Sequence, residues 1–252
     1  MKSKDVFFKS DSVLLKGRWY IPVNSENSIY RPVVLLSCGL GGKLEWFESL
    51  ADNLTGEGLA VFSYDFRGHG KSEGVCDGNV AADVFSAFQV IMDRPHLDHN
   101  WIFMAGQCFG GTLSLHLSLK LKNIRGVGIF SPLYQQRIIK KPQLWDRAMK
   151  AMRDPENPHQ VRLEENSFKE FYVSADLYSD LERRNIPVFL SFGEKDKYMD
   201  EDIKNNIIRR AQKKKDKIYH LKNGRHTSGY REGAIGKRLG RWIIGIIKSE
   251  KT

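Results

Sequence analysis

Apolar residues in this chain gather into short runs, separated by stretches with a helical rhythm. Runs bounded by turn residues lie at Pro32–Cys38 (PVVLLSC), Leu59–Phe66 (LAVFSYDF) and Asn100–Gly106 (NWIFMAG). Others follow at Arg125–Pro132 (RGVGIFSP), Pro187–Gly193 (PVFLSFG) and Asp216–Leu221 (DKIYHL). Near-continuous apolarity over such lengths suits strands covered on both faces, as in parallel sheets. Between them the period changes. Phe47, Leu50 and Leu54 share one helical face, as do Val84, Phe85, Phe88, Ile91 and Met92, and later Ile235, Leu239, Trp242, Ile243 and Ile246. The opening segment, DVFFKSDSVLLKGRWYIPV, reads as an antiparallel hairpin with its turn near Lys9–Asp11. The six runs and the two hairpin strands predict an α/β fold with a doubly wound, mostly parallel eight-stranded sheet.

One interval breaks the alternation. Residues 133–186 separate two predicted strands and are too many for a simple crossover. Helical patterns around Gln143–Arg153 and Phe168–Glu182, with Pro142, Pro155 and Pro158 beside them, mark a helical cap inserted into a single domain of residues 1–252.

Composition narrows the class. Of 252 residues 41% are hydrophobic, which is ample for a core, and 28% are charged, which is ordinary for a soluble protein. The N-terminus lacks the apolar run of a signal peptide, and WIIGII at 242–247 is too short to span a membrane. Three cysteines, Cys38, Cys76 and Cys108, make no disulfide framework, so a cytoplasmic, reducing compartment is expected. The net charge of +10 invites nucleic acid or an acidic partner. No zinc-finger spacing, RNA-recognition motif or basic–aromatic repeat accompanies it, so nucleic acid is not expected. No histidine or cysteine set has metal-ligand spacing, and no cofactor motif is present.

The chemistry concentrates in MAGQCFGGT, residues 104–112. A predicted strand runs into Gly106-Gln107-Cys108-Phe109-Gly110, and a helical pattern follows. Small flanking residues are what a strained strand-to-helix turn needs, and such a turn presents its central side chain over the helix N-terminus. Helix-terminal amides favour negative charge, which favours a thiolate there.

With those residues the sequence resembles the α/β-hydrolase superfamily over nearly its whole length, with Cys108 where the elbow G-x-S-x-G usually has serine. The resemblance implies a triad in the order nucleophile, acid, histidine. Asp196, in Gly193-Glu194-Lys195-Asp196 after one strand, matches the family's acid; His226, in Asn223-Gly224-Arg225-His226 after the last strand, matches its histidine. Glu194 and Asp200 lie off the family's spacing. Ser37-Cys38-Gly39-Leu40-Gly41-Gly42 is similar to the oxyanion loop, with Cys38 where histidine is usual, which implies oxyanion donors at the backbone N–H groups of Leu40 and Phe109. Asp65-Phe66-Arg67-Gly68-His69-Gly70-Lys71-Ser72-Glu73-Gly74 resembles the family's D-x-R-G-x-G-x-S-x-G, read as structural. In the family's sheet the third and fifth strands are neighbours, which would bring Cys38 and Cys108 to one edge, where a redox-controlled disulfide could form.

A cysteine nucleophile suits thioesters and activated esters, because thioester exchange is nearly balanced. The expected reaction is acyl hydrolysis or acyl transfer through acyl-Cys108, with a dienelactone-type lactone hydrolase and a non-catalytic ligand-binding scaffold as alternatives. From Arg137 to Arg153 the cap carries Arg137, Lys140, Lys141, Arg147, Lys150 and Arg153 against Asp146, with Leu144, Trp145, Met149 and Met152 between. A basic rim over an apolar pocket fits a small-molecule acyl ester or thioester, carried on coenzyme A or an acidic carrier protein. Gln107, Trp145 and Met149 are the expected substrate contacts.

Overall fold

In the computed structural model, residues 1–23, 31–134, 141–231 and 233–251 are described. Asp11 and Ser12 alone join β1 (Lys2–Ser10) to β2 (Val13–Ile21), with Asp11 left-handed at φ 53°. Aspartate tolerates that conformation better than most residues. The sheet continues through β3 (Arg31–Ser37), β4 (Ala60–Tyr64), β5 (Leu97–Gln107), β6 (Ile124–Phe130), β7 (Val188–Gly193) and β8 (Lys217–Leu221). Its eight strands lie in the order β1-β2-β4-β3-β5-β6-β7-β8. β1 and β2 pair antiparallel and β2 runs antiparallel to β4, while every pairing from β4 to β8 is parallel.

The apolar runs have the cause the sequence suggests. In β3, Val33 and Leu35 enter one core cluster while Val34 and Leu36 enter another, so alternate residues feed opposite faces and none meets water. α1 (Glu48–Gly56), after a 3₁₀ turn at Leu44–Phe47, and α9 (Gly233–Lys251) supply the second cluster with Leu50, Leu54, Ile235, Leu239 and Ile243. α2 (Val80–Met92) and α3 (Phe109–Ser118) supply the first. In α2 the buried seam runs through Val80, Val84, Ala87 and Ile91, and Phe85 is 38% exposed. One residue beyond Val84 is about 100° round the helix, which takes Phe85 off the seam.

Between β6 and β7 lie α4 (Pro142–Arg153), α5 (Glu165–Ser174) and α6 (Leu177–Arg183). The helix expected over Phe168–Glu182 is two helices. Asp176 starts the second, its carboxylate accepting the Tyr178 N–H at 3.1 Å, and an aspartate so engaged favours a cap over a helix interior. The stretch before α5 is laid along the loop that follows β4. Arg162 N–H donates to Gly68 O (3.1 Å), Cys76 N–H to Arg162 O (2.7 Å) and Glu164 N–H to Cys76 O (2.9 Å), an isolated parallel bridge. The Arg162 side chain adds bonds to the carbonyls of Gly74 and Ser72, and Ser167 Oγ accepts the Gly78 N–H. α7 (Glu201–Arg210) and α8 (Ser228–Arg231) complete the helices among the described residues. Arg209 and Arg210 stand in the last turn of α7, where positive charge is favoured. No helix of the described residues is long and apolar enough to cross a membrane.

Candidate active site

β5 ends at Gln107, α3 begins at Phe109, and Cys108 makes the turn with φ 54° and ψ −120°. A side chain in that region is strained, so the surroundings must hold it. Cys108 N–H donates to Phe130 O (2.9 Å), and Cys108 O accepts from Thr112 N–H (3.1 Å). Glycine is required on either side. A Cβ on Gly106 would lie 2.5 Å from the carbonyl carbon of Gly110, and one on Gly110 would enter the carbonyl of Cys38. The sharp turn therefore follows from the tight stacking of the first turn of α3 on β5 and on the loop after β3.

The loops after β7 and β8 meet beside this thiol. They are tied together by Glu194 N–H to Leu221 O (3.1 Å) and Lys195 N–H to Gly224 O (2.8 Å). His226 Nδ1–H donates to Asp196, 2.8 Å from Oδ2 and 3.0 Å from Oδ1, and Cys108 acts electrostatically on the imidazole. The Asp196 side chain is fully buried, and its Oδ1 also accepts the Tyr198 N–H at 2.9 Å. Ser131 lies close enough to help hold the charge, although its hydroxyl forms no hydrogen bond of good geometry. The other two carboxylates are engaged elsewhere: Glu194 accepts the Asn223 N–H (3.0 Å), and Asp200 caps α7 through Ile203 N–H (3.0 Å).

Electrostatics follow from this geometry. Burial pulls His226 down, but the influence of Cys108 and the hydrogen bond to Asp196 outweigh it and push the imidazole up to about 10. Burial pushes Asp196 up, yet the hydrogen bond and charge of His226 hold it below the ordinary carboxylate value.

The loop after β3 folds beside the elbow, with Gly42 N–H donating to Gly39 O (2.8 Å). Leu40 lies in this loop, and Phe109 opens α3 directly after Cys108. Asp65 holds the end of this loop. Its carboxylate, wholly buried and pushed up to about 6 by that burial, accepts Leu44 N–H (2.7 Å) and Lys71 N–H (3.0 Å). Gln107 is buried, with its side-chain oxygen against Gly39, so it braces the loop from below. Cys38 lies in the core layer of α1 and α9, its sulfur near Tyr64 O at 4.0 Å, and Cys38, Cys76 and Cys108 are all free thiols.

α4 and α5 cover the elbow. Phe109 meets Phe168 (5.3 Å between ring centroids) and Tyr172 (6.0 Å), and Trp145 stands behind them, 5.4 Å from Tyr172 with Nε1–H donating to Glu165 (2.8 Å). Trp145 and Met149 are thus buried in the aromatic layer, with Phe168 and Tyr172 standing nearer to Phe109. Two tyrosines beside the site carried no local motif. Tyr198, 60% exposed, lies 4.7 Å from the His226 ring, and Tyr172 comes from a helix far along the chain. The spacing of Tyr198 two residues after Asp196 was the one available signal for the first. A surface cavity of about 1080 Å³ lies at the other end of the strands, lined by His116, Asn123, Arg125 and Pro187 among others, and includes none of these residues. Among the described residues no group of histidine, cysteine, aspartate and glutamate is arranged to hold a metal ion.

A family model described as "Serine aminopeptidase, S33" matches residues 29–161. An uncharacterized protein of Mycobacterium tuberculosis (strain ATCC 25618 / H37Rv) is 29% identical over 118 residues, 46% of this chain and 41% of that protein. The chain therefore spans about two fifths of the length of that curated relative. Among solved structures, the esterase domain of a Rhodothermus marinus protein superposes with a TM-score of 0.71 at 17% identity, covering 96% of this chain and 98% of that one. A thioesterase domain from the curacin biosynthetic pathway gives 0.64 at 15% identity, covering 97% and 100%. At these identities the likeness is one of fold.

Proposed function

The chain belongs to the serine aminopeptidase S33 family of α/β-hydrolases, and from that premise we propose that it hydrolyses esters or thioesters through an acyl-Cys108 intermediate. The observation that carries this reading is the contiguous set Asp196, His226 and Cys108, with the thiol on a left-handed turn at a helix N-terminus. The esterase and thioesterase domains that share the fold support the substrate class.

The chemistry follows the proton. The Cys108 thiolate attacks the acyl carbonyl, and an S–C bond forms as the carbonyl π electrons move to oxygen. The amides of Leu40 and Phe109 receive that oxyanion, and each such donor contributes about 3–4 kcal/mol to transition-state stabilisation. When the adduct collapses, the bond to the leaving group breaks and His226 gives its proton to the departing oxygen or sulfur. A water molecule then attacks acyl-Cys108; His226 takes its proton, and the thiolate leaves with the carboxylic acid as product. Asp196 holds the imidazole with its other nitrogen toward sulfur throughout.

Residues 133–186 are read as a cap that shapes the acyl site, with Trp145 and Met149 as the back of its apolar wall. Lys141, just before α4, and Arg147, Lys150 and Arg153 on it are exposed beside Leu144, which supports an acyl group delivered on coenzyme A or an acidic carrier. Arg137 and Lys140 of that basic stretch lie outside the described residues. A thiolate nucleophile and free thiols suit a reducing, cytoplasmic compartment. The direct test is intact mass after brief incubation with butyryl-CoA and p-nitrophenyl butyrate. An adduct of one acyl group on the wild type that is missing from Cys108→Ala is expected; equal labelling of both would overturn the mechanism, and saturable binding without turnover would identify a non-catalytic scaffold.

A further inference from the structure

We propose that the hydroxyl of Tyr172 is a further catalytic group, a hydrogen-bond donor that the inserted helices bring to the carbonyl oxygen of an acyl substrate on Cys108. The proposal rests on the reading of Cys108 as nucleophile. Tyr172 lies on α5 and is 1% exposed, and its hydroxyl has no hydrogen-bond partner among the described residues. Buried hydroxyls in folded proteins are almost always paired, and an orphan points to a partner that arrives later.

The surroundings say where that partner arrives. The Tyr172 ring lies nearly parallel to that of Phe109, with 27° between their planes, and Phe168 and Trp145 close its other sides. Phe109 is the residue after the nucleophile, and its amide is one of the two proposed oxyanion donors. The apolar wall gives the hydroxyl nothing to bond, and Cys108 is the neighbour whose electrostatics reach it. Burial, with that influence added, pushes the phenol well above its ordinary value, so it remains a neutral donor wherever the enzyme works. In the proposal, the oxygen of an acyl group on the sulfur accepts from this O–H as well as from the amides.

A purely structural role predicts something different. Phenylalanine would pack in the same aromatic layer, and the fold would lose no hydrogen bond, since the hydroxyl makes none. Tyr172→Phe is therefore expected to melt at the wild-type temperature or above it. Its single-turnover rate of acyl-Cys108 formation should fall about a hundredfold, the effect of removing one oxyanion donor. The loss should be seen in kcat and not in KM, and should be similar for p-nitrophenyl butyrate and butyryl-CoA, which share the carbonyl. An unchanged acylation rate, a change in KM alone, a loss confined to the oxygen ester, or a drop in melting temperature that accounts for the lost rate would each overturn the proposal. Cys108→Ala separates the two readings. If it still turns over, the nucleophile is misassigned; if it is inert while Tyr172→Phe is as fast as wild type, only the role of Tyr172 fails.

Discussion

In the proposed mechanism a sulfur in place of an oxygen changes the work of His226. Serine gives up its proton only during attack, whereas cysteine can hold a negative charge before substrate arrives. Cys108 is one of the causes that push His226 up to about 10. Cys108→Ser should therefore lower the His226 pKa, and histidine ring NMR signals followed against pH will measure the shift. The pair also ties stability to pH. His226 binds its proton more tightly in the fold than its ordinary 6.5 allows, so its contribution is complete below about pH 6.5 and fades as pH rises through about 10. Asp196 is held below its ordinary 3.8, so its share is complete above that pH and is lost on further acidification. The melting-temperature difference between wild type and Asp196→Asn should be greatest between about pH 4 and 6.5 and shrink toward pH 10. At this scale the sequence was legible near strand ends: Cys108 follows β5 directly, and Asp196 and His226 stand in the loops after β7 and β8. Tyr172 was not legible, since its place against Phe109 depends on how a distant amphipathic helix lies across the elbow.

Among the elements, the loop after β4 has a second load besides shaping the turn. Arg67 is buried against Asp83, its Nε–H 2.9 Å from Oδ1, while its own backbone N–H donates to Oδ2 at 2.8 Å and Ser10 Oγ donates to Oδ1 at 2.8 Å. Arg67→Ala would strand a buried carboxylate, and a buried pair broken on one side costs about 3–5 kcal/mol. Urea unfolding should show a loss of that size. Asp65 and Arg67 are both bonded internally, consistent with a structural motif, but each to different partners: the first to the amides of Leu44 and Lys71, the second to Asp83. Element boundaries were harder to read. The hairpin turn was evident from Asp11, yet the division between α5 and α6 depends on whether Asp176 bonds a backbone amide, a choice that periodicity does not record.

Across the whole molecule, apolar runs feed two core layers, and the parallel sheet brings the ends of β3, β5, β7 and β8 to one edge, where Leu40, Cys108, Phe109, Asp196 and His226 gather while Trp145 and Met149 come from α4. The net charge of +10 acts at this range too. For an anionic thioester kcat/KM should fall as ionic strength rises, while a neutral ester should respond little; a parallel response of both would remove the role given to charge. The bridge between Cys76 and Leu163 has a further consequence, for engineering. The inserted helices are fastened to residues 68–78 by backbone bonds that any sequence could make and by Arg162 and Ser167, which only some would supply. The exchangeable module is therefore two segments, not one. A chimera that imports residues 133–186 of a relative while keeping its own loop after β4 would seat the graft askew, and one that carries both would seat it true.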